Sequence, residues 1–296
     1  MGKVTYLKKF ASDNCKSLLE RFESHLLAMD RSRSAKNYLG DVRRFAEWFS
    51  TRHGNILAAT PLDIADYRAH LQQQGRKPST VNRALVSLRV FFEWAEKEKL
   101  VPDNPAESIR PVAAVDPGPK WLTRQEQAAL MRAVRDEGSA RDEAIIGLLL
   151  HTGIRVGELV KLKRSDIEIS ERSGKITVRE GKGNKYREVP LNKTARKILS
   201  RWLEENPEGV LFPNRYGDPI SERAVHMLVS EYAYRAKIRA SPHTLRHTFC
   251  KNLVDAGVSL DRVAAIAGHS KLETTRRYTA PSFLDLQEAA ERVSWE

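Results

Sequence analysis

The sequence predicts a mainly α-helical protein with one small antiparallel β-sheet, divided into two domains. Three observations carry that prediction. Apolar residues recur at helical spacing through nearly every segment. A clear strand pattern occurs in one region only, between 167 and 191. A proline-rich stretch from Pro111 to Pro119 interrupts the periodicity between the two halves. At 296 residues the chain is long enough for two cores. Its 41% hydrophobic content is that of a globular protein, and no apolar run approaches the length of a membrane span.

The first half reads as four helices. Leu18, Leu19, Phe22, Leu26 and Leu27 mark the first; Tyr38, Val42, Phe45, Trp48 and Phe49 mark the second. Thr60-Pro61 opens a third through Ile64 and Tyr67, which Gly75 closes, and Pro78-Ser79-Thr80 opens a fourth through Val81, Leu85, Leu88, Phe92 and Ala95. These stripes are core. The polar faces carry Lys36, Arg43, Arg44, Arg76, Lys77, Arg83 and Arg89, a set that either solvates its helices or grips DNA phosphates. Val101-Pro102-Asp103-Asn104-Pro105 ends the fourth helix. The expected organisation is a first domain over 1–110, a linker over 111–120 and a second domain over 121–296.

The second half opens with helices. Thr123-x-x-Glu126 is a capping-box pattern, Ala144 to Leu150 is an apolar helix stopped by Gly153, and Ile154 to Leu159 begins another. Strands follow at 167–169, 176–178 and 186–191, with a turn at Ser173-Gly174 and a glycine-bearing loop between the second and third. Helices then resume at 194–204, 221–237, Pro242–Asp255, 259–267 and 273–278.

Charge sets the class of partner. Lys and Arg number 50 against 38 Asp and Glu, a formal +12, which favours a polyanion, nucleic acid first. Met1 to Phe10 has no apolar block with a cleavage site, and Cys15 and Cys250 form neither a disulfide framework nor a metal pair. The expectation is a cytoplasmic, nucleoid-associated protein with no membrane contact.

Candidate chemistry centres on Ser241-Pro242-His243-Thr244-Leu245-Arg246-His247. Ser241 suits an N-cap and Pro242 the first helical position. His243 and Arg246 then share one face of the first turn, beside free backbone N–H groups, which makes a cradle for a phosphate. Arg155 follows a helix break at Gly153; Lys182 sits in Gly181-Lys182-Gly183-Asn184-Lys185 at a hairpin tip; His269 lies in a turn after Gly268; Tyr278 follows Arg276-Arg277. The hairpin glycines are not a P-loop, which needs Gly-x-x-x-x-Gly-Lys followed by Ser or Thr. His243 and His247 have the spacing of a zinc pair, but no acidic residue between them and no spaced third ligand accompanies them.

The order Thr-Gly-Ile-Arg155-x-Gly-Glu-Leu, Gly-Lys182-Gly-Asn-Lys, His243-x-x-Arg246-His247, Gly-His269-Ser, Tyr278 resembles the tyrosine recombinase (phage integrase) family across essentially the whole chain. The resemblance implies a SAM-like four-helix core-binding domain and an α+β catalytic domain, closed as a C-shaped clamp around duplex DNA. It implies that Tyr278 is the nucleophile, that Arg155 and Arg246 clamp the non-bridging phosphate oxygens, and that Lys182 is the general acid. His243 would assist proton transfer at the tyrosine and His269 would bond the phosphate. No cofactor or metal is implied.

Little sequence precedes the first helix, so the chain looks most like the short Xer-type branch, which points to chromosome or plasmid dimer resolution; integration or resolution of a mobile element is the neighbouring reading. The C-terminal stretch, with Phe283, Leu286, Ala289, Ala290 and Val293 on one face and Asp285, Glu288 and Glu291 beside them, either packs on its own chain or docks on a neighbouring subunit. The family pattern implies docking within a tetramer, homomeric or with a paralogue. A type IB topoisomerase and a non-catalytic DNA-binding regulator are the rivals from other classes.

Overall fold

The computed structural model of the protein describes residues 16–29, 32–51, 54–113, 118–179, 186–206, 208–269, 273–279, 287 and 290–295. Within them the chain is mostly helical, with one three-stranded antiparallel sheet, and it divides into two compact units, Met1–Asp116 and Pro117–Glu296.

The first unit holds helices α1 (16–28), α2 (Ser32–Ser50), α3 (Pro61–Gln73) and α4 (Pro78–Lys97). Helix α3 starts where Thr60 and Asp63 cap each other reciprocally and Pro61 takes the first position. Gly75 then turns the chain at φ +69° into α4. The apolar stripes meet in an aromatic core, with Phe22 edge-on to Phe91 at 5.2 Å and Phe45 edge-on to Tyr67 at 5.0 Å. One carboxylate enters it. Asp41, 1% exposed, accepts from Ser87 Oγ at 2.8 Å, from Arg83 at 3.1 Å and from Arg44. Within the stretch the sequence marks as linker, Val112 is pinned to α4: Asn82 accepts from its N–H at 2.7 Å and donates to its carbonyl at 2.9 Å.

The second unit is built on α6 (Ala140–Thr152), buried along both faces from Ala144 to Leu150. Around it lie α5 (Arg124–Glu137), the single turn α7 (Val156–Leu159), α8 (Lys193–Glu205), α9 (Glu222–Arg235), α10 (Pro242–Asp255), α11 (Leu260–Ala267) and the single turn α12 (Glu273–Arg276). Strands β1 (Ile167–Ile169), β2 (Gly174–Arg179) and β3 (Tyr186–Pro190) pair in sequence order, Ile176 standing opposite both Ile167 and Val189. These three side chains join Leu148, Leu149, Ile198 and Trp202 in the core.

Several boundaries differ from the sequence reading, three of them for a clear local reason. The β1–β2 turn is closed by Ser170 and Ser173, so Gly174 already belongs to the ladder, opposite Ile169. Helix α9 stops at Arg235 because Lys237 turns left-handed at φ +55° and Ile238 bonds back to Ala233. Helix α12 stops at Arg276, so Tyr278 lies in the following turn, its N–H on the Thr275 carbonyl at 3.0 Å.

Candidate active site

The site forms where helices end. Helix α6 stops because Gly153 takes φ +62°; a Cβ there would also fall 2.3 Å from Phe249 Cδ1, so only glycine fits. Two residues on, Arg155 is the N-cap of α7. Its backbone N–H donates to Glu158 Oε2 at 2.7 Å, its Nη1 to Glu158 Oε1 at 2.9 Å, and its Nη2 to the Gly268 carbonyl at 2.5 Å.

Helix α10 begins as its sequence requires, with Ser241 as cap, accepting from Thr244 N–H at 3.2 Å, and Pro242 first. This puts Arg246 one turn in, 4% exposed, where Nη1 donates to the Gly153 carbonyl at 2.5 Å and Nη2 to the Ala267 carbonyl at 2.7 Å. The C-terminal ends of α6 and α11 therefore hold both guanidiniums on carbonyls that carry the negative end of each helix dipole. Burial, and then the charge of Arg155, hold Arg246 below the usual arginine range. An anion placed between two such cations relieves their repulsion, and their forks suit a phosphate.

Three imidazoles and a phenol complete the cluster. His243 is exposed on the first turn of α10, its ring 4.2 Å from that of His247. His247 Nδ1 lies 2.6 Å from Tyr278 Oη. His269 stands almost parallel to the Tyr278 ring, 6.2 Å away, with its Nδ1 3.0 Å from Thr275 Oγ1. Burial, helped by neighbouring cations and imidazoles, pushes His247 and His269 down to about 4, and it lowers His243 as well. Burial first, and then Cys250, pushes the Tyr278 phenol well above its usual value. Tyr278 is 1% exposed, packed with Phe249, Cys250, Val263 and Ala267. The phenol thus keeps its proton, and its oxygen lies within hydrogen-bond distance of a neutral His247.

The structure brings Arg155, His243, Arg246, His269 and Tyr278 into one cluster. Lys182 lies outside the described residues, as does most of the C-terminal stretch; of the latter, Val293 and Trp295 are exposed. In the first unit Lys36, Arg43, Arg76 and Lys77 are exposed, Arg44 and Arg83 share Asp41, and half-buried Arg89 donates to the Ile109 carbonyl at 3.1 Å.

The hydroxyl of Tyr278 meets His247 and not His243, the residue the sequence reading set beside it. That reading weighed His247 only as a zinc partner; its Nδ1 is engaged by Tyr278, and among the described residues no group of three or more His, Cys, Asp or Glu is placed to hold a metal. Glu158 and Arg187 were missed too. Glu158 had a readable signal, the third helical position after Arg155, where a side chain folds back to its cap.

Comparison with known proteins identifies the family. Residues 120–284 match the phage integrase family, and residues 19–99 match the phage integrase N-terminal SAM-like domain. The chain is 33% identical over 282 residues to the tyrosine recombinase XerA of Thermococcus kodakarensis, covering 93% of this chain and 95% of that protein. It is 33% identical over 254 residues to the tyrosine recombinase XerD of Ralstonia nicotianae, covering 82% of each. Its fold superposes on the crystal structure of the XerH site-specific recombinase bound to palindromic difH substrate, a post-cleavage complex, with a TM-score of 0.76 at 23% identity, over 87% of this chain and 79% of that one. The chain belongs to the phage integrase family of tyrosine recombinases, the site-specific DNA recombinases.

Proposed function

We propose that this protein cuts and rejoins duplex DNA at a specific site through a 3′-phosphotyrosyl intermediate on Tyr278 and a Holliday junction, and that its biological task is resolution of chromosome or plasmid dimers. The observation that carries the chemistry is the contact chain itself. Arg246 and Arg155 are fixed on the Ala267 and Gly268 carbonyls, His269 follows directly, and His247 joins the α10 turn to Tyr278.

In the proposed reaction Tyr278 Oη passes its proton to His247 Nδ1 as it attacks the scissile phosphorus, a P–Oη bond forms and the P–O5′ bond breaks. Arg155, Arg246, His243 and His269 hold the non-bridging oxygens, whose negative charge grows in the transition state. Lys182 protonates the departing 5′-oxygen. A phenol is a poor nucleophile until deprotonated, with a reference pKa of about 10. It then leaves readily, so the phosphotyrosyl bond conserves the energy needed for rejoining by the 5′-hydroxyl of the partner strand. The reaction needs no ATP and no metal ion, and cleavage should persist in a chelator.

The first unit would supply phosphate contacts through Lys36, Arg43, Arg76 and Lys77, and to a lesser degree through Arg44, Arg83 and Arg89, which have partners of their own. The C-terminal stretch would dock on a neighbouring subunit of a homotetramer, or of a heterotetramer with a paralogue, assembled on DNA in the cytoplasm. Deleting 282–296 should then impair cooperative assembly while single-site DNA binding survives; unchanged assembly contradicts it.

The test is to incubate the protein with sheared DNA from its own source, denature, and sequence the fragments that remain attached. Wild type should retain fragments sharing one site, and Tyr278→Phe none. Fragments without a shared site, or retention by Tyr278→Phe, would count against the proposal. Recombinant junctions between two plasmids carrying that site would exclude a topoisomerase, which rejoins only the strand it cut.

A further inference from the structure

Arg187 sits on β3 opposite Val178, on the same strand face as buried Val189. A guanidinium on the inner face of a sheet is costly unless every nitrogen finds an acceptor. Here each does. Nη1 and Nη2 grip Glu158 Oε1 and Oε2 at 3.0 and 2.8 Å, and Nε donates to the Ile266 carbonyl at 3.1 Å. The side chain is 13% exposed.

The acceptor it grips is the one that holds Arg155. The Glu158 carboxylate takes two bonds from Arg187 and two from Arg155, which is about all a carboxylate can accept. Burial pushes Glu158 up, but the bonds from Arg187 and Arg155 outweigh it and keep the carboxyl ionised below its usual range. On its other side Arg187 packs on the turn that ends α11. A Cβ on Gly268, which has φ +69°, would fall 2.7 Å from Arg187 Cζ. The carbonyl of that glycine receives Arg155 Nη2, and the next residue is His269. One side chain therefore sets both the carboxylate and the turn between which Arg155 is stretched.

We propose that Arg187 is a positioning residue for the scissile phosphate, acting through Glu158 on Arg155 and through the Gly268 turn on His269, without itself touching DNA. The assignment rests on the roles given above to Arg155 and His269. An ion pair that served stability alone would leave the chemistry of a folded variant unchanged. A positioning residue leaves a signature in that chemistry, because what is lost is the fixed charge opposing the non-bridging oxygens.

The experiment uses the full chain as wild type, Arg187→Gln and Arg187→Lys, with melting curves to establish folding. The probes are nicked duplexes carrying the site recovered through the Tyr278 adduct. One has an ordinary scissile phosphodiester and one a methylphosphonate, in which a neutral methyl replaces a charged oxygen. On the phosphodiester, Arg187→Gln should form adduct about 100-fold more slowly than wild type at unchanged DNA affinity, the scale of a catalytic group displaced by about 1 Å. On the methylphosphonate the gap should shrink to a few-fold, because less charge needs holding.

Arg187→Lys keeps one cation beside Glu158 but cannot form the fork, so it should show the same substrate dependence at smaller size, and it decides the matter if Arg187→Gln does not fold. Equal losses on both probes, or a loss explained by weaker DNA binding, would overturn the proposal. So would recovery only on a third probe with a 5′-bridging sulfur, whose leaving group needs no general acid, since that would tie Arg187 to Lys182 instead. Wild type that forms no Tyr278 adduct on any probe would overturn the recombinase chemistry, and this assignment with it.

Discussion

At the residue scale the site is a problem in holding like charges together. Arg155 and Arg246 are kept close by backbone carbonyls at the ends of α6 and α11, so the cationic pocket exists before any phosphate arrives. Arg246→Lys preserves a charge but can reach only one of its two carbonyls. Cleavage should fall about 100-fold or more with DNA affinity little changed, as when one preorganised donor is lost; a matching loss of affinity would contradict this. The histidines add a pH dependence. His247 and His269 titrate near 4 when folded, against 6.5 as the ordinary value. Between those values the unfolded chain binds more protons, so their contribution to stability is complete above 6.5 and is lost as pH falls toward 4. His247→Asn should therefore show a shallower fall in Tm than wild type over that window, and parallel curves would contradict the assignment. The sequence made Arg155, His243, Arg246, His269 and Tyr278 legible through motif order. It could not show that His247 meets Tyr278 from a turn 31 positions on, or that Arg187 meets Glu158 across the unit, because spacing encodes only contacts along one element.

At the element scale the groups proposed to act on DNA stand at helix ends and turns, and the helix ends were readable. Ser241 and Thr123 cap where their patterns place them, and Gly153 and Gly268 end α6 and α11 in the left-handed region. What escaped was set by tertiary context: Lys237, a non-glycine in left-handed conformation, ends α9 early, and α12 is a single turn. The two glycines do more than punctuate, since their carbonyls receive Arg246 and Arg155. Gly153→Ala should destabilise the protein by about 2 kcal/mol or more, from left-handed strain together with the clash on Phe249. A urea midpoint displaced by less than half of that would mean α6 can end another way. Arg187 was hidden for a related reason. The strand alternation placed a charge on an inner face, which reads as a misfit until its partners on α7 and α11 are seen.

At the scale of the whole molecule, two units with separate cores divide the chain, one without strands among its described residues and one carrying the sheet. The proline-rich stretch marked the change of texture, but composition could not reveal that Val112 is tied back to Asn82. A net charge of +12 sets long-range attraction to a polyanion. If Lys36 and Arg43 each neutralise one phosphate, Lys36→Ala and Arg43→Ala should each reduce the slope of log affinity against log salt by about 0.9 while leaving cleavage at saturating DNA unchanged. An unaltered slope would mean those side chains only solvate α2. The central claim is that Tyr278 carries the DNA. Its most direct test is to digest the denatured adduct with protease and nuclease and to find, by mass spectrometry, which side chain bears the remaining nucleotide. The account predicts a 3′-linked nucleotide on the peptide containing Tyr278; a 5′ linkage, or a nucleotide on any other residue, would contradict it.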